Sequence, residues 1–208
     1  MVVAGAVFAR ADVQALKLRA TVVGAAGTEP LTIELNRWST EAERAPLMAA
    51  LAAPVPTQDR QAGPPAGAAA GRTGRAGRGG ARGGAAAPPN PLANLTTAIK
   101  AAPTVGFVWT GDITGYSIKY SWHAPAADGG ERIVLVTDRR LGANSPGWPV
   151  SSGGPADAEF TVLELRLDSH GGGEAKSSLH SSVVVDEPAK TLALASYASV
   201  PTLLKVVR

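Results

Sequence analysis

The chain has 208 residues, with 24 Gly, 16 Pro, no Cys and 5% aromatics. This composition excludes a coiled coil and a collagen-like fibre, and the missing cysteine excludes disulfide scaffolds, thiolate-bound metals and thiol nucleophiles. Twenty Lys and Arg face 17 Asp and Glu. Residues 53–91 alone hold Arg60, Arg72, Arg75, Arg78 and Arg82 against Asp59, so the flanking sequence is close to neutral and the basic character belongs to that segment.

Met1 to Ala11 reads MVVAGAVFARA, an apolar stretch ending in Ala9-Arg10-Ala11. A small-x-small triplet after an apolar run is the form of a signal-peptidase site. Residues 1–11 are therefore expected to be a signal-peptide remnant, and the protein to be exported to the periplasm or beyond; the alternative is a short apolar start on a cytoplasmic protein.

Residues 12–52 read as a hairpin and a helix. Leu16, Leu18, Ala20 and Val22 alternate with Lys17, Arg19 and Thr21; after a turn at 25–30, Leu31, Ile33 and Leu35 alternate with Thr32, Glu34 and Asn36. Period-two alternation marks strands with one buried face. Thr40 and Glu43 form a capping box at the start of a helix that runs to about Ala52, with Leu47, Met48 and Leu51 as its apolar face. Pro46 is expected to make that helix irregular or kinked.

Residues 53–91 are almost entirely Ala, Gly, Pro and Arg. Such a segment buries too little apolar surface to offset chain entropy, and it is expected to be a disordered insert. Arg72, Arg75, Arg78 and Arg82 could contact a polyanion, but no Phe or Tyr is interleaved with them, which argues against nucleic acid.

Residues 92–208 resume the same domain. Leu92, Leu95 and Ile99 have helical spacing up to Pro103. Val105, Phe107 and Trp109 then alternate as a strand, and Tyr116, Ile118, Tyr120 and Trp122 share one face of the next, opposite Ser117, Lys119, Ser121 and His123. Asp128-Gly129-Gly130 is a tight turn, and 132–139 is a strand. The stretch 141–157 is a long irregular loop. A strand over 159–168 turns through Ser169–Glu174 and returns through Leu179, Ser181, Val183 and Val185. Two short strands, 191–198 and 202–207, close the chain. The expected fold is mainly β with two flanking helices: an antiparallel meander forming a curved sheet or a barrel capped at one end by the helices, with a two-sheet sandwich as second choice.

Arg37-Trp38-Ser39-Thr40 with Glu43-Arg44, Tyr116-x-Ile118-Lys119-Tyr120, Arg132-Ile133-Val134-Leu135-x-Thr137-Asp138-Arg139 and Leu163-Glu164-Leu165-Arg166-Leu167-Asp168 resemble a group of uncharacterised, predicted exported bacterial proteins. The resemblance spans most of both flanks and omits the Arg/Gly insert. It implies export and carries no catalytic residue.

The chemistry-bearing residues are few. Asp168, His170 and His180 sit around one hairpin, but five or six residues of strand carry His180 about 17–20 Å from the turn, so no metal site and no cofactor are expected. No nucleophile elbow is present. Arg37, Asp138 and Arg139 are polar strand-end candidates, and Asp138 with Arg139 could serve a hydrolase as acid and anion clamp. An ion pair where the strand exits is the simpler role for them. Glu164 and Arg166, on the same strand face, read as a cross-strand charge ladder. Phe107, Trp109, Tyr116, Tyr120 and Trp122, with Trp38 at the rim, could line either a core or an apolar pocket. The sequence thus points to an exported, non-enzymatic domain that binds an apolar small molecule or a cell-surface component, with no transmembrane helix. The alternatives are a hydrolase around Asp138 and Arg139, and polyanion binding through the insert.

Overall fold

A computed structural model describes residues 16–24, 30–52, 91–110, 114–142 and 159–208. The expectations for the signal-peptide remnant, the Arg/Gly insert with Arg72, Arg75, Arg78 and Arg82, and the core of the 141–157 loop lie outside the described residues. Eight antiparallel strands close into a barrel. They are β1 (Leu16–Val22), β2 (Pro30–Leu35), β3 (Gly106–Thr110), β4 (Thr114–Pro125), β5 (Glu131–Thr137), β6 (Thr161–Leu167), β7 (Gly172–Ser177) and β10 (Leu204–Val207). Around the barrel the order is β1-β10-β7-β6-β5-β4-β3-β2. Closure comes from the last strand: Val22 pairs Leu204 on one side of β10, and Leu204 pairs Ala175 on the other. The barrel, not the sandwich, is the architecture, and it leaves no unpaired edge.

The alternation seen in the sequence sets the two faces. Leu18, Ile33, Val108, Ile118, Ile133, Leu135, Leu163, Leu165 and Leu204 all point inward and are fully buried. Large aliphatic side chains from opposing strands meet across the axis, so the interior is a packed core.

A second core lies outside the barrel. Helices α1 (Glu41–Ala52) and α2 (Pro91–Ala101), with the two-stranded hairpin of β8 (Val183–Asp186) and β9 (Thr191–Leu194), pack on the outer face of β4, β5 and β6. There Leu47, Leu95, Ile99, Leu192 and Leu194 cover Tyr120, Val134, Val136 and Val162. The helices therefore clothe the barrel wall instead of capping an end. Ile133-Val134-Leu135-Val136 is apolar on both faces because both faces are buried.

Helix α1 begins as its capping box dictates. Glu43 N–H donates to Thr40 Oγ1 at 3.3 Å, and Thr40 N–H donates to Glu43 Oε2 at 2.9 Å. Arg37 grips the same carboxylate through two nitrogens, each at 2.7 Å. The helix continues without a break through Pro46.

Two further expectations are corrected. Tyr116, Ile118, Tyr120 and Trp122 do not share a face. The register of β4 against β5 shifts between Ile118 and Tyr120, a bulge at Lys119. Tyr116 and Ile118 point into the barrel, whereas Tyr120 and Trp122 turn out toward the helices. An extra residue in one strand reverses the inward set beyond it. The strand returning from Gly172 is also broken. A 3-10 turn at Ser178–His180 ends β7, and Val183–Asp186 pairs with β9 in the outer sheet instead of extending the barrel.

Candidate functional site

The uncovered half of the barrel carries the candidate site. Among the described residues neither α1 nor α2 packs on the outer faces of β1, β2, β3 and β10, whereas a 3-10 turn at Tyr197–Ser199 lies against β7, where Lys176 Nζ donates to Tyr197 O at 3.1 Å. The outward residues fall into cross-strand rows set by register. The central row runs Gly115, Trp109, Thr32, Arg19, Val207, Gly172 across β4, β3, β2, β1, β10 and β7. One flanking row contains Ser117, Phe107, Glu34 and Lys17. The other contains Thr21, Lys205, Glu174 and Arg166.

Phe107 and Trp109 alternate outward on β3, their ring centroids 5.5 Å apart and their planes inclined by 31°. Both are half-buried. Trp109 lies across Gly115: a Cβ there would sit 2.7 Å from the indole ring, so only glycine lets the ring settle onto the sheet. The indole N–H donates to Glu34 Oε2 at 3.1 Å, which fixes the ring's orientation. Glu34 is held in turn by Lys17 at 2.6 Å, and this hydrogen bond, with Trp109 assisting, keeps its carboxyl below the usual range. At the far end of the central row a groove of about 650 Å³ opens, with Gly172, Val207, Lys205, Glu174, Arg166 and Thr202 among its lining residues.

The six residues proposed from sequence as an aromatic wall are thus distributed among three environments. Phe107 and Trp109 are on the bare outer wall. Tyr116 is buried inside the barrel. Tyr120 and Trp122 are under the helices, where the Tyr120 hydroxyl meets Thr191 and burial pushes the phenol up. Trp38 packs against the interior cluster where β2 leaves the barrel and stacks on His123 at 4.0 Å. They enclose no common space.

The polar candidates are occupied by structural contacts. Arg37 holds Glu43 and Trp38 O. Asp138 accepts from Ser117 N–H at 3.1 Å, and Arg139 donates to Gly115 O while lying over the Tyr116 ring at 5.2 Å. Together they tie the end of β5 to the start of β4, and no histidine contacts them among the described residues. Asp168 is turned into its own loop, accepting from His170 and Gly172 N–H at 2.8 and 3.0 Å. His180 lies past the opposite end of β7, so Asp168, His170 and His180 do not converge.

Two arrangements escaped the sequence reading. Glu164, on the outer face of β6, has a side chain only 1% exposed. It accepts from Arg132 at 3.0 Å, Arg166 at 3.1 Å and Leu194 N–H at 3.2 Å, and Arg132 reaches on to Asp186 at 2.7 Å. This network fastens the β8–β9 hairpin to the barrel. At the barrel end, His123 Nδ1 meets Glu131 Oε1 at 2.8 Å, and Arg208 holds the other carboxylate oxygen at 3.1 Å. Both depend on contacts between distant segments that no local pattern announces.

No protein-family model, no curated protein and no solved structure matches the chain. No described helix is long and apolar enough to cross a membrane.

Proposed function

We propose that this protein is an exported, non-enzymatic binding domain that engages a cell-surface component through the bare half of its barrel. The observation that carries the reading is the outward pair Phe107 and Trp109, on a wall that neither helix nor the outer hairpin covers among the described residues. Outward positions on exposed strands are ordinarily polar, as Lys17, Arg19, Thr32 and Glu34 are on β1 and β2. Two adjacent aromatics there present a large apolar contact area with little side-chain entropy to lose on binding. The filled interior supports an outer site over an enclosed one for an apolar molecule. Export rests on the apolar start with its Ala9-Arg10-Ala11 triplet and on the resemblance to predicted exported proteins.

The test uses the chain's four tryptophans as reporters. With 5-fluorotryptophan incorporated, each gives a 19F resonance assignable by single substitution. The probes are a neutral polysaccharide, heparin and phosphatidylglycerol vesicles. A saturable shift of the Trp109 resonance, with Trp38 and Trp122 unmoved, is the expected result. A response at Trp38 or Trp122 without Trp109, or none at Trp109 with any probe, overturns it. Mass spectrometry of the mature N-terminus in the native host tests export separately, and a chain retaining Met1 overturns that part.

A further inference from the structure

Resting on this reading of the bare wall, we infer that its occupant is a neutral polysaccharide chain, lying across the strands from the Trp109 ring to the groove at Gly172. The central row defines the path. Five inter-strand steps separate Gly115 from Gly172, about 24 Å of barrel surface at roughly 4.8 Å per step. Along it come an indole lying flat on Gly115, then Thr32, Arg19 and Val207, which is 61% exposed, and at Gly172 the path ends beside the Asp168 carboxylate.

The flanking rows specify the chemistry. On one side Lys17 stands beside Glu34; on the other Lys205 stands beside Glu174. Each flank carries a cationic donor and a carboxylate two residues from the path, Glu34 also accepting from Trp109 and Glu174 from Thr202. Hydroxyl groups, which donate and accept alike, satisfy both. A polyanion would meet Glu34 and Glu174, and its attraction to Lys17 is already offset by the Lys17–Glu34 ion pair at 2.6 Å. A lipid surface would need a continuous apolar patch, and charged rows flank this strip on both sides. The remaining chemistry is that of a sugar ring, whose apolar C–H face packs on the electron-rich face of Trp109 or Phe107 while its rim hydroxyls reach the flanks.

The experiment is affinity electrophoresis of the full chain through gels containing hydroxyethyl cellulose, laminarin or dextran, with heparin, oligo-dT and phosphatidylglycerol vesicles assayed in parallel. Trp109→Ala, Arg19→Ala and Val207→Asp are compared after circular dichroism confirms the fold. The latter two change exposed side chains, so the test survives if Trp109→Ala loosens the sheet at Gly115. Retardation by a neutral polysaccharide is expected, weakened at least tenfold in Trp109→Ala and several-fold in the other two, with longer oligosaccharides competing better than monosaccharides. Glycan binding indifferent to Arg19→Ala and Val207→Asp overturns the path. Trp109-dependent binding of heparin, oligo-dT or vesicles alone overturns the glycan while leaving the wall as the binding face. Absence of Trp109-dependent binding to every probe overturns both.

Discussion

Replacing Glu164 by alanine tests whether the buried carboxylate is what holds the outer layer to the barrel. Its side chain is 1% exposed and takes three donors: Arg132, Arg166 and the backbone N–H of Leu194. Removing one member of a buried ionic cluster costs about 3–5 kcal/mol, because the charges left behind lose their compensation. Two features of the site bring the expectation to the low end of that range. Arg132 keeps Asp186 at 2.7 Å, and Arg166, with half of its side chain in solvent, rehydrates readily. The stranded Leu194 N–H works in the other direction, since an unsatisfied buried donor costs about 1–3 kcal/mol. Glu164→Ala is therefore expected to lose about 3 kcal/mol in urea unfolding, a fall in Tm of roughly 6–12 °C for a chain of this size. Glu164→Gln, which keeps an acceptor for Leu194, should lose about half as much. In a double-mutant cycle with Arg132→Ala, the coupling should exceed about 1 kcal/mol. Native-state hydrogen exchange at Leu194 should accelerate before that at Leu165, because the hairpin opens before the barrel. A loss below about 1 kcal/mol, or exchange that rises uniformly, would refute the role given to this carboxylate.

Two other predictions concern contacts elsewhere in the fold. The Arg37 guanidinium holds the Glu43 carboxyl down to about 2, from a model-compound value of 4.5. A depressed carboxylate pKa adds stability that is complete above the unfolded value and disappears as pH falls through the folded one. The unfolding free energy of Glu43→Gln, from urea titration, should thus lie below wild type at pH 6 by about 1–2 kcal/mol for a partly exposed bidentate pair that also caps a helix. The two curves should converge between pH 4.5 and 2, and a gap that persists at pH 2 would show that the charge is not responsible. Tyr120→Phe removes a buried hydroxyl bonded to Thr191 and leaves that threonine without its partner; it should cost about 1–2 kcal/mol by thermal unfolding, and a neutral outcome would place the hydroxyl's worth in solvent exchange.

The strands of the barrel were legible because each has one face in the core. Leu16, Leu18, Ala20 and Val22 against Lys17, Arg19 and Thr21 is a statement about which side of a pleated chain meets water, and it holds in three dimensions without modification. Legibility fails where the chain departs from that simple period. At Lys119 one added residue rotates Tyr120 and Trp122 from the inside to the outside, yet the residue types on either side of the bulge are the same. Val183 and Val185 alternate as strand residues should, and they are in a strand, but periodicity carries no information about which sheet it joins. Glu164 is legible as a rung of a cross-strand charge ladder, and Arg132 and Arg166 do pair with it, but its burial is not legible. Its burial is imposed by a hairpin some 30 residues further along the chain.

The same argument bears on where binding can occur. Outward positions on β4, β5 and β6 are apolar at Tyr120, Trp122, Val134, Val136 and Val162, and the helices and outer hairpin cover them. Outward positions on β1 and β2 are polar and need no cover. Phe107 and Trp109 obey neither pattern: they are aromatic, and among the described residues they lie outside the cluster that the helices and outer hairpin cover. Trp109 has a partial structural reason, because a glycine at an outward strand position leaves backbone exposed that an aromatic neighbour can shield. Phe107 has none, since it faces Ser117 across the strand pair. If cover for Gly115 were the whole account, one ring would suffice. The second ring, placed beside the first and flanked by Glu34 and Lys17, is what an outer binding surface adds to a barrel whose interior is already full.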